Sequence, residues 1–255
     1  MLRKNWGRGN NVKRIAIAAI VAASIGFAVW RVSVTRAQTP TVASILEHYV
    51  NAIGGRATIQ QMTTRIAKGT IEASGLDVVG VAEAYAKAPN KYATLIQLPG
   101  VGESRRGFDG NSGWVSDSTG LRDMQGQELS SMRRASEFYE SLKIAQLYPK
   151  LTLKGVGNVA ARPAYEIDAD PGDGTLRRMY FDVESGLMVR SDEELDTPDG
   201  REATLSYLED YRDVEGMKHP FTVRQVRGEQ TFTVHITQIV VNQPIDDAKF
   251  AKPVR

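Results

Sequence analysis

The sequence predicts a mainly β, α+β domain in which a single antiparallel sheet curves deeply round two or three helices. From Arg65 onward, apolar residues recur with a period of two over most of the chain, as they do in strands. The predicted strands are short and joined by hairpin-length turns, which favours antiparallel neighbours over βαβ units. Ten to twelve such strands cannot lie flat, so the sheet must curl, close on itself or split in two.

A leader is expected at residues 1–37. Residues 1–14 contain five basic residues and no acidic one, residues 15–30 are apolar or small, and Thr35-Arg36-Ala37 loosely fits a small-x-small cleavage site. Regions in this order are typical of a secretory signal peptide. The alternative is an uncleaved membrane anchor, although a spanning helix needs about 20 apolar residues. We therefore expect an exported protein in the periplasm, or one anchored in the inner membrane and facing the periplasm.

The charge distribution argues against a nucleic-acid partner. The chain has 32 basic and 30 acidic residues; seven of the basic ones and none of the acidic ones lie in residues 1–37, which leaves residues 38–255 with a net charge of −5. A net negative domain gives no support to binding nucleic acid or anionic membrane by bulk charge. The chain has no cysteine, so disulfides and thiolate sites are excluded and a packed core must hold the fold.

The first predicted element is an amphipathic helix after the linker at Pro40. Its apolar residues share one helical stripe, at Val42, Ile45, Leu46, Tyr49, Val50 and Ile53. Thr41 is a suitable N-cap, and Gly54-Gly55 supplies a left-handed residue at the end. A short second helical turn is predicted at residues 57–62.

Strands follow on both sides of one helical interruption. The first group is predicted at residues 65–73, 78–87, 91–98, 103–109 and 112–117. Residues 127–148 lack Gly and Pro and carry an imperfect apolar stripe, so we expect a broad-faced helix, broken or continuous. The second group is predicted at residues 151–160, 162–169, 175–183, 187–196, 202–211, 221–227 and 231–241. No internal repeat divides the chain, and one domain is expected over residues 38–255.

Several predicted strands place residues suited to a ligand cavity on one face. In strand 78–87 that face carries only small residues, namely Gly80, Ala82, Ala84 and Ala86. Such a face accommodates either a packed helix or the close approach of a ligand. Large apolar residues on other strands are candidates for the remaining walls, or for ordinary core: Tyr92, Ile96, Phe181, Phe232, Val234 and Ile236. Trp114 is interpreted as a core or rim aromatic.

No catalytic or metal-binding arrangement is predicted. The three histidines, His48, His219 and His235, lack metal-ligand spacing, and each is interpreted as a surface or hydrogen-bonded residue, with His219 in a turn before Pro220. The acidic clusters near residues 192–199 and 209–210 lack the pattern of a calcium loop and are expected to be solvated. No nucleophile elbow, P-loop or dinucleotide fingerprint is present.

Two adjacent arginine pairs lie on predicted strands, Arg105-Arg106 and Arg177-Arg178. Because neighbouring side chains on a strand point to opposite faces, one arginine of each pair is expected to point inward. An inward guanidinium at the mouth of an apolar groove can bind a carboxylate or phosphate with two hydrogen bonds. The candidates are Arg105, Arg106 and Arg178.

Five stretches of residues 42–253 resemble a known group of proteins. They are ILEHYVNAIGGRATIQQMTTRIAKGTIE (45–72), GFDGNSGW (107–114), YFDVESGLMVR (180–190), DYRDVEGMKHPF (210–221) and NQPIDDAKFAKP (242–253). These resemble the outer-membrane lipoprotein-sorting-protein-like family, relatives of the Lol periplasmic lipoprotein carriers. The resemblance implies an unclosed half-barrel wrapped over helices, with an apolar cavity for acyl chains and an inward arginine that controls closed and open forms. It implies no cofactor and no enzyme activity.

The leading functional hypothesis is a non-enzymatic periplasmic carrier or binding protein for lipid or lipoprotein acyl chains. Its expected partners are such an acyl chain and envelope proteins of the inner or outer membrane. The alternative is a structural or interaction protein of the cell envelope, tethered by residues 15–30. A hydrolase with an unrecognised carboxylate or histidine site is the third hypothesis.

Overall fold

The computed structural model describes residues 40–197 and 200–254, so the expected leader lies outside the described residues. Within them the helices are α1 (Val42–Ala52), α2 (Gly55–Gln61), α3 (Gly126–Ala135) and α4 (Glu140–Leu147), with a 3₁₀ turn at Asp247–Lys249. The first six strands are β1 (Thr64–Ala73), β2 (Val79–Lys87), β3 (Lys91–Leu98), β4 (Gly102–Phe108), β5 (Gly113–Asp117) and β6 (Gly120–Asp123). The others are β7 (Lys150–Val159), β8 (Arg162–Asp170), β9 (Leu176–Asp182), β10 (Met188–Thr197), β11 (Gly200–Val214), β12 (Met217–Arg227) and β13 (Gln230–Val241).

All the described strands belong to one antiparallel sheet. Their order is β6-β5-β4-β3-β2-β1-β13-β12-β11-β10-β9-β8-β7, so β6 and β7 are its two edges and the sheet is not closed. Hairpins join successive strands from β1 to β6 and from β7 to β13, and β1 pairs with β13 to connect the two halves of the chain. The predicted fold, an open half-barrel over helices, is confirmed. The described residues contain thirteen strands and four α-helices, more than predicted, because β6 is too short to show a period and segment 127–148 forms two helices.

The first helix is fixed at both ends as its sequence indicates. Thr41 and Ser44 form a reciprocal capping box, in which Ser44 N donates to Thr41 Oγ1 at 3.1 Å and Thr41 N to Ser44 Oγ at 3.0 Å. At the other end Gly54 has φ +128°, and a Cβ there would lie 2.3 Å from the carbonyl oxygen of Gly216. Only glycine allows the β11–β12 turn to approach so closely.

The segment predicted as a broken or continuous helix at 127–148 is broken, and its two helices have different neighbours. Helix α4 and α1 pack over β7–β9, where Tyr49 and Phe181 contact each other with ring centroids 5.2 Å apart. Helix α3 instead packs by Met132 against Phe108 on β4, and it also contacts β10. The chain breaks between them because Phe138 N donates to Pro89 O at 3.0 Å, outside any helical pattern.

The C-terminal segment covers the convex face of the sheet near β2–β5. Phe250 is fully buried, and Ile245 and Phe250 pack with Tyr85 and Ala93. Trp114 is 3% exposed on this face, and its Nε1 donates to Phe250 O at 2.9 Å. Trp114 is therefore a core residue, which is one of the two interpretations that the sequence allowed.

Strands β11 and β12 extend beyond their predicted ends. The register is the same on both sides of Asp210, which has φ +53°, with Glu209 opposite Thr222 and Tyr211 opposite Pro220. Pairing therefore continues past Pro220, although proline has no N–H to donate. The prediction that His219 lies in a turn is therefore wrong, since it lies within β12. Among the described residues, no helix combines the length and apolarity that crossing a membrane requires.

Candidate ligand cavity

The concave side of the sheet encloses a cavity of about 590 Å³. Strands β1–β4 and β9–β13 contribute its walls, and α3 lies across it between β5 and β10. The cavity volume lies within the usual range for small-molecule sites, about 300–1,000 Å³.

One wall of the cavity is made of very small side chains. Ala82, Ala84 and Ala86 of β2 line it, and in the pairing register Ala67 of β1 lies opposite Ala84. Since these side chains end at Cβ, the cavity extends almost to the backbone of the sheet. The small-residue face of the predicted strand 78–87 therefore borders the cavity at three of its four positions.

Apolar side chains from other strands complete the lining. Four candidates from the sequence are among them, namely Tyr92, Ile96, Val234 and Ile236. The structure adds residues that no pattern had singled out: Met124, Met132, Met188, Leu208, Val223 and Ile239. Methionine is flexible and adapts to ligands of irregular shape. The methionines could not be predicted as lining because they come from distant segments that meet only in the fold.

Three other candidates lie outside the cavity lining. Phe181 is fully buried in the core because α1 and α4 cover β9. Phe232 packs with Ile71, Ala82 and Leu98. Gly80 lies at a separate groove, open to solvent, beside Val79, Val81 and Val101, which are 56%, 45% and 57% exposed.

The arginine pairs alternate across the sheet as expected, and of the three candidates Arg106 faces the cavity whereas Arg105 and Arg178 do not. Arg106 lines the cavity. Arg105 instead pairs with Glu103 at 2.5 Å, and Arg178 pairs with Asp168 at 2.6 Å. The inward member of the second pair is Arg177, whose side chain lines the cavity.

Arg177 is held by a buried polar network. It forms an ion pair with Glu140, its Nε donates to Ser191 Oγ at 2.7 Å, and its Nη1 lies 3.2 Å from Tyr148 Oη. Burial alone would lower the pKa of Arg177, but Glu140, Tyr148 and Glu193 outweigh it and raise that pKa well above its ordinary value. Arg177 therefore has its counter-charge within the protein and acts as a fixed part of the wall.

His219 is a buried cavity residue without a hydrogen-bond partner at one nitrogen. It is 3% exposed, lines the cavity, and its Nε2 has no partner in the structure. Burial, and then the charge of Arg65, lower its pKa to about 3, against the raising effect of Asp213. The interpretation as a surface or hydrogen-bonded histidine is therefore wrong, because His219 lies within β12 on the same side of the strand as Val223 and Arg227, which also line the cavity. His48 and His235 are exposed.

The acidic residues of the cavity are mostly engaged with other groups. Glu128 accepts two hydrogen bonds from Arg122 at 2.6 and 2.9 Å, and Glu193 accepts one from Ser131 at 2.7 Å. Over residues 40–197 and 200–254, no group of His, Asp and Glu side chains has the arrangement of a metal site. What this cavity offers chemically is an apolar interior with a few cationic groups on its wall.

Proteins with a similar architecture are found among solved structures. No protein-family model and no curated protein matches the chain. Among solved structures, a LolA superfamily protein from Nitrosomonas europaea aligns with 84% of this chain and 99% of its own, at TM-score 0.53 and 11% identity. The chain has the fold of the LolA superfamily.

Two further structures share this LolA-like fold. A DUF1329 family protein from Desulfovibrio piger covers 84% of this chain and 98% of its own, at TM-score 0.53 and 15% identity. A domain of the outer membrane lipoprotein-sorting protein type from Vibrio parahaemolyticus covers 74% and 90%, at TM-score 0.50 and 7% identity. The resemblance drawn from the sequence is thus confirmed for the fold, which is all that likeness at such identities establishes.

Proposed function

We propose that the protein is a periplasmic, non-enzymatic carrier or binding protein that holds a lipid or lipoprotein acyl chain in its cavity. The observation that carries this proposal is the cavity of about 590 Å³ between the small-residue wall of β2 and helix α3. The LolA-like fold supports it by analogy, because one of the similar structures is of the lipoprotein-sorting type.

Burial of an acyl chain supplies enough free energy for useful affinity. Each methylene moved from water into an apolar site contributes about 0.8 kcal/mol, so eight methylenes contribute roughly 6 kcal/mol before the entropic cost of association. Small side chains on the wall leave room for the chain, and methionines adjust to it. No covalent step is needed, and the ligand leaves as it entered.

The experiment is native mass spectrometry of the full chain recovered gently from the periplasm, with lipid extraction of the same sample. We expect an additional mass, lost on denaturation, that corresponds to a lipid or lipopeptide. A clean unliganded mass, with no uptake of added lipids, would contradict the proposal. That result would favour the alternative, a cell-envelope interaction protein, whose expected tether at residues 15–30 lies outside the described residues.

A further inference from the structure

Arginines without a carboxylate partner are concentrated at the cavity. Most arginines of the described chain form an ion pair, among them Arg177 with Glu140 and Arg190 with Asp192. Within residues 40–197 and 200–254, those for which no such pair is found are Arg56, Arg65, Arg106, Arg133 and Arg227. Three of these five, Arg65, Arg106 and Arg227, line the cavity.

Two of the three act on each other across the sheet. Arg106 comes from β4 and Arg227 from the end of β12, and both are half-buried. Burial and then the like charge of Arg106 lower the pKa of Arg227, while the exposed Glu202 of β11 opposes this. Both guanidinium groups therefore bring positive charge to the same cavity, which both side chains line.

The hydrogen-bonding capacity of this pair is largely unused. Arg227 donates from Nη2 to Gln225 Oε1 at 3.4 Å, and its buried Nε has no partner. A guanidinium presents five N–H donors in a planar fork that matches a carboxylate or a phosphate. Unpaired cationic groups taken partly out of water are costly unless an anion joins them.

We propose that Arg106 and Arg227 together bind the anionic group, a carboxylate or a phosphate, of an amphiphile whose acyl chain lies in the cavity. This inference rests on the proposed function and narrows it, since a neutral lipid would leave the two arginines unpaired. The apolar lining selects the chain, and the arginine pair selects the charged end.

The test compares ligands of one chain length that differ in their head group. The full chain is titrated by calorimetry with dodecanol, dodecanoate, dodecyl phosphate and, separately, inorganic phosphate. A hydrogen bond to a charged group contributes about 1.5–3 kcal/mol, so we expect dodecanoate and dodecyl phosphate to bind about tenfold to a hundredfold more tightly than dodecanol. Inorganic phosphate alone is expected to bind far more weakly than dodecyl phosphate.

The double variant Arg106→Gln/Arg227→Gln should lose this preference and keep its affinity for dodecanol, which also shows that it folds. Arg133→Gln is the matched control, because Arg133 is exposed and lies outside the cavity; it should retain the preference. As a second readout, dodecyl phosphate should raise the Tm of the wild type more than that of the double variant.

The outcomes separate this inference from the proposed function. Equal binding of dodecanol and both anions by the wild type would overturn the arginine assignment and leave the acyl-chain site standing. A preference that persists in the double variant would also overturn it. Inorganic phosphate binding as tightly as dodecyl phosphate would point to a free-anion site and contradict an amphiphile. If none of the dodecyl ligands binds, the proposed function fails and this inference fails with it.

Discussion

At the scale of single residues, the cavity wall contains polar groups that the fold holds partly or wholly away from water. His219 is the clearest example of how burial changes the pKa of such a group. In the folded protein its pKa is lowered to about 3, whereas an unperturbed histidine has a pKa of about 6.5. Between these two values the unfolded chain binds a proton that the folded chain does not bind, so the free energy of unfolding falls as the pH drops below about 6.5.

We expect His219 to account for about 2 kcal/mol of stability lost between pH 7.5 and pH 5. Urea unfolding at both pH values measures this loss in the wild type and in His219→Gln, which should lack that part of the pH dependence. His235→Gln is the control, because His235 is exposed. An unchanged pH dependence in His219→Gln would show that the histidine is not buried in its neutral form.

Glycine at residue 69 is needed for close contact between β1 and β13. Gly69 lies at a register shift between these strands, and a Cβ there would lie 2.1 Å from the carbonyl oxygen of His235. We expect Gly69→Ala to lower the free energy of unfolding by about 2 kcal/mol or more, since backbone must move to relieve the overlap. Urea unfolding provides the measurement.

Gly157→Ala is the matched control for that substitution. Gly157 also lies within a strand, and the nearest atom to an added Cβ is Glu166 Oε2 at 3.5 Å, an ordinary contact. This variant should change stability by less than about 1 kcal/mol. Equal effects of the two substitutions would mean that the contact between β1 and β13 is looser than described.

At the scale of elements, α3 is a part of the cavity wall that is attached largely by polar side-chain contacts. Ser131 Oγ donates to Glu193 Oε1 at 2.7 Å on β10, and Arg134 pairs with Asp173 at 2.6 Å. Its apolar contact with the sheet is made chiefly by Met132 and Leu129. A helix held in this way can detach more readily than α1, whose buried face belongs to the main core.

Ser131→Ala should loosen α3 without unfolding the domain. A hydrogen bond to a carboxylate contributes about 1.5–3 kcal/mol, so amide hydrogen exchange in Gly126–Ala135 should become about tenfold faster or more, while exchange in α1 stays unchanged. Ser130→Ala is the control, because no side-chain hydrogen bond of Ser130 is found within the described residues. If exchange in α3 does not change, the bond to Glu193 does not hold the helix.

At the scale of the whole molecule, the fold was more predictable than the site. Turn residues and the period of two define hairpins locally, and the Thr41–Ser44 segment contains the capping signal of α1, so both were accessible from sequence. The cavity is formed by segments far apart in the chain. Arg227 and Met188 line it only because β13 pairs with β1 and the sheet curves, and His219 faces it because β12 continues past Pro220. No local pattern contains this information.

If an acyl chain lies against the small-residue wall, filling that wall should block its binding. Ala84→Trp places a large ring in the cavity, whereas Val81→Trp places the same ring on the same strand at an exposed position. Calorimetry should show that the wild type and Val81→Trp bind dodecanol with similar affinity. Binding by Ala84→Trp should be weaker by about tenfold or more, which is the effect of about two methylenes that are no longer buried. Equal binding of dodecanol by all three proteins, or binding by none, would contradict an acyl-chain site at this wall.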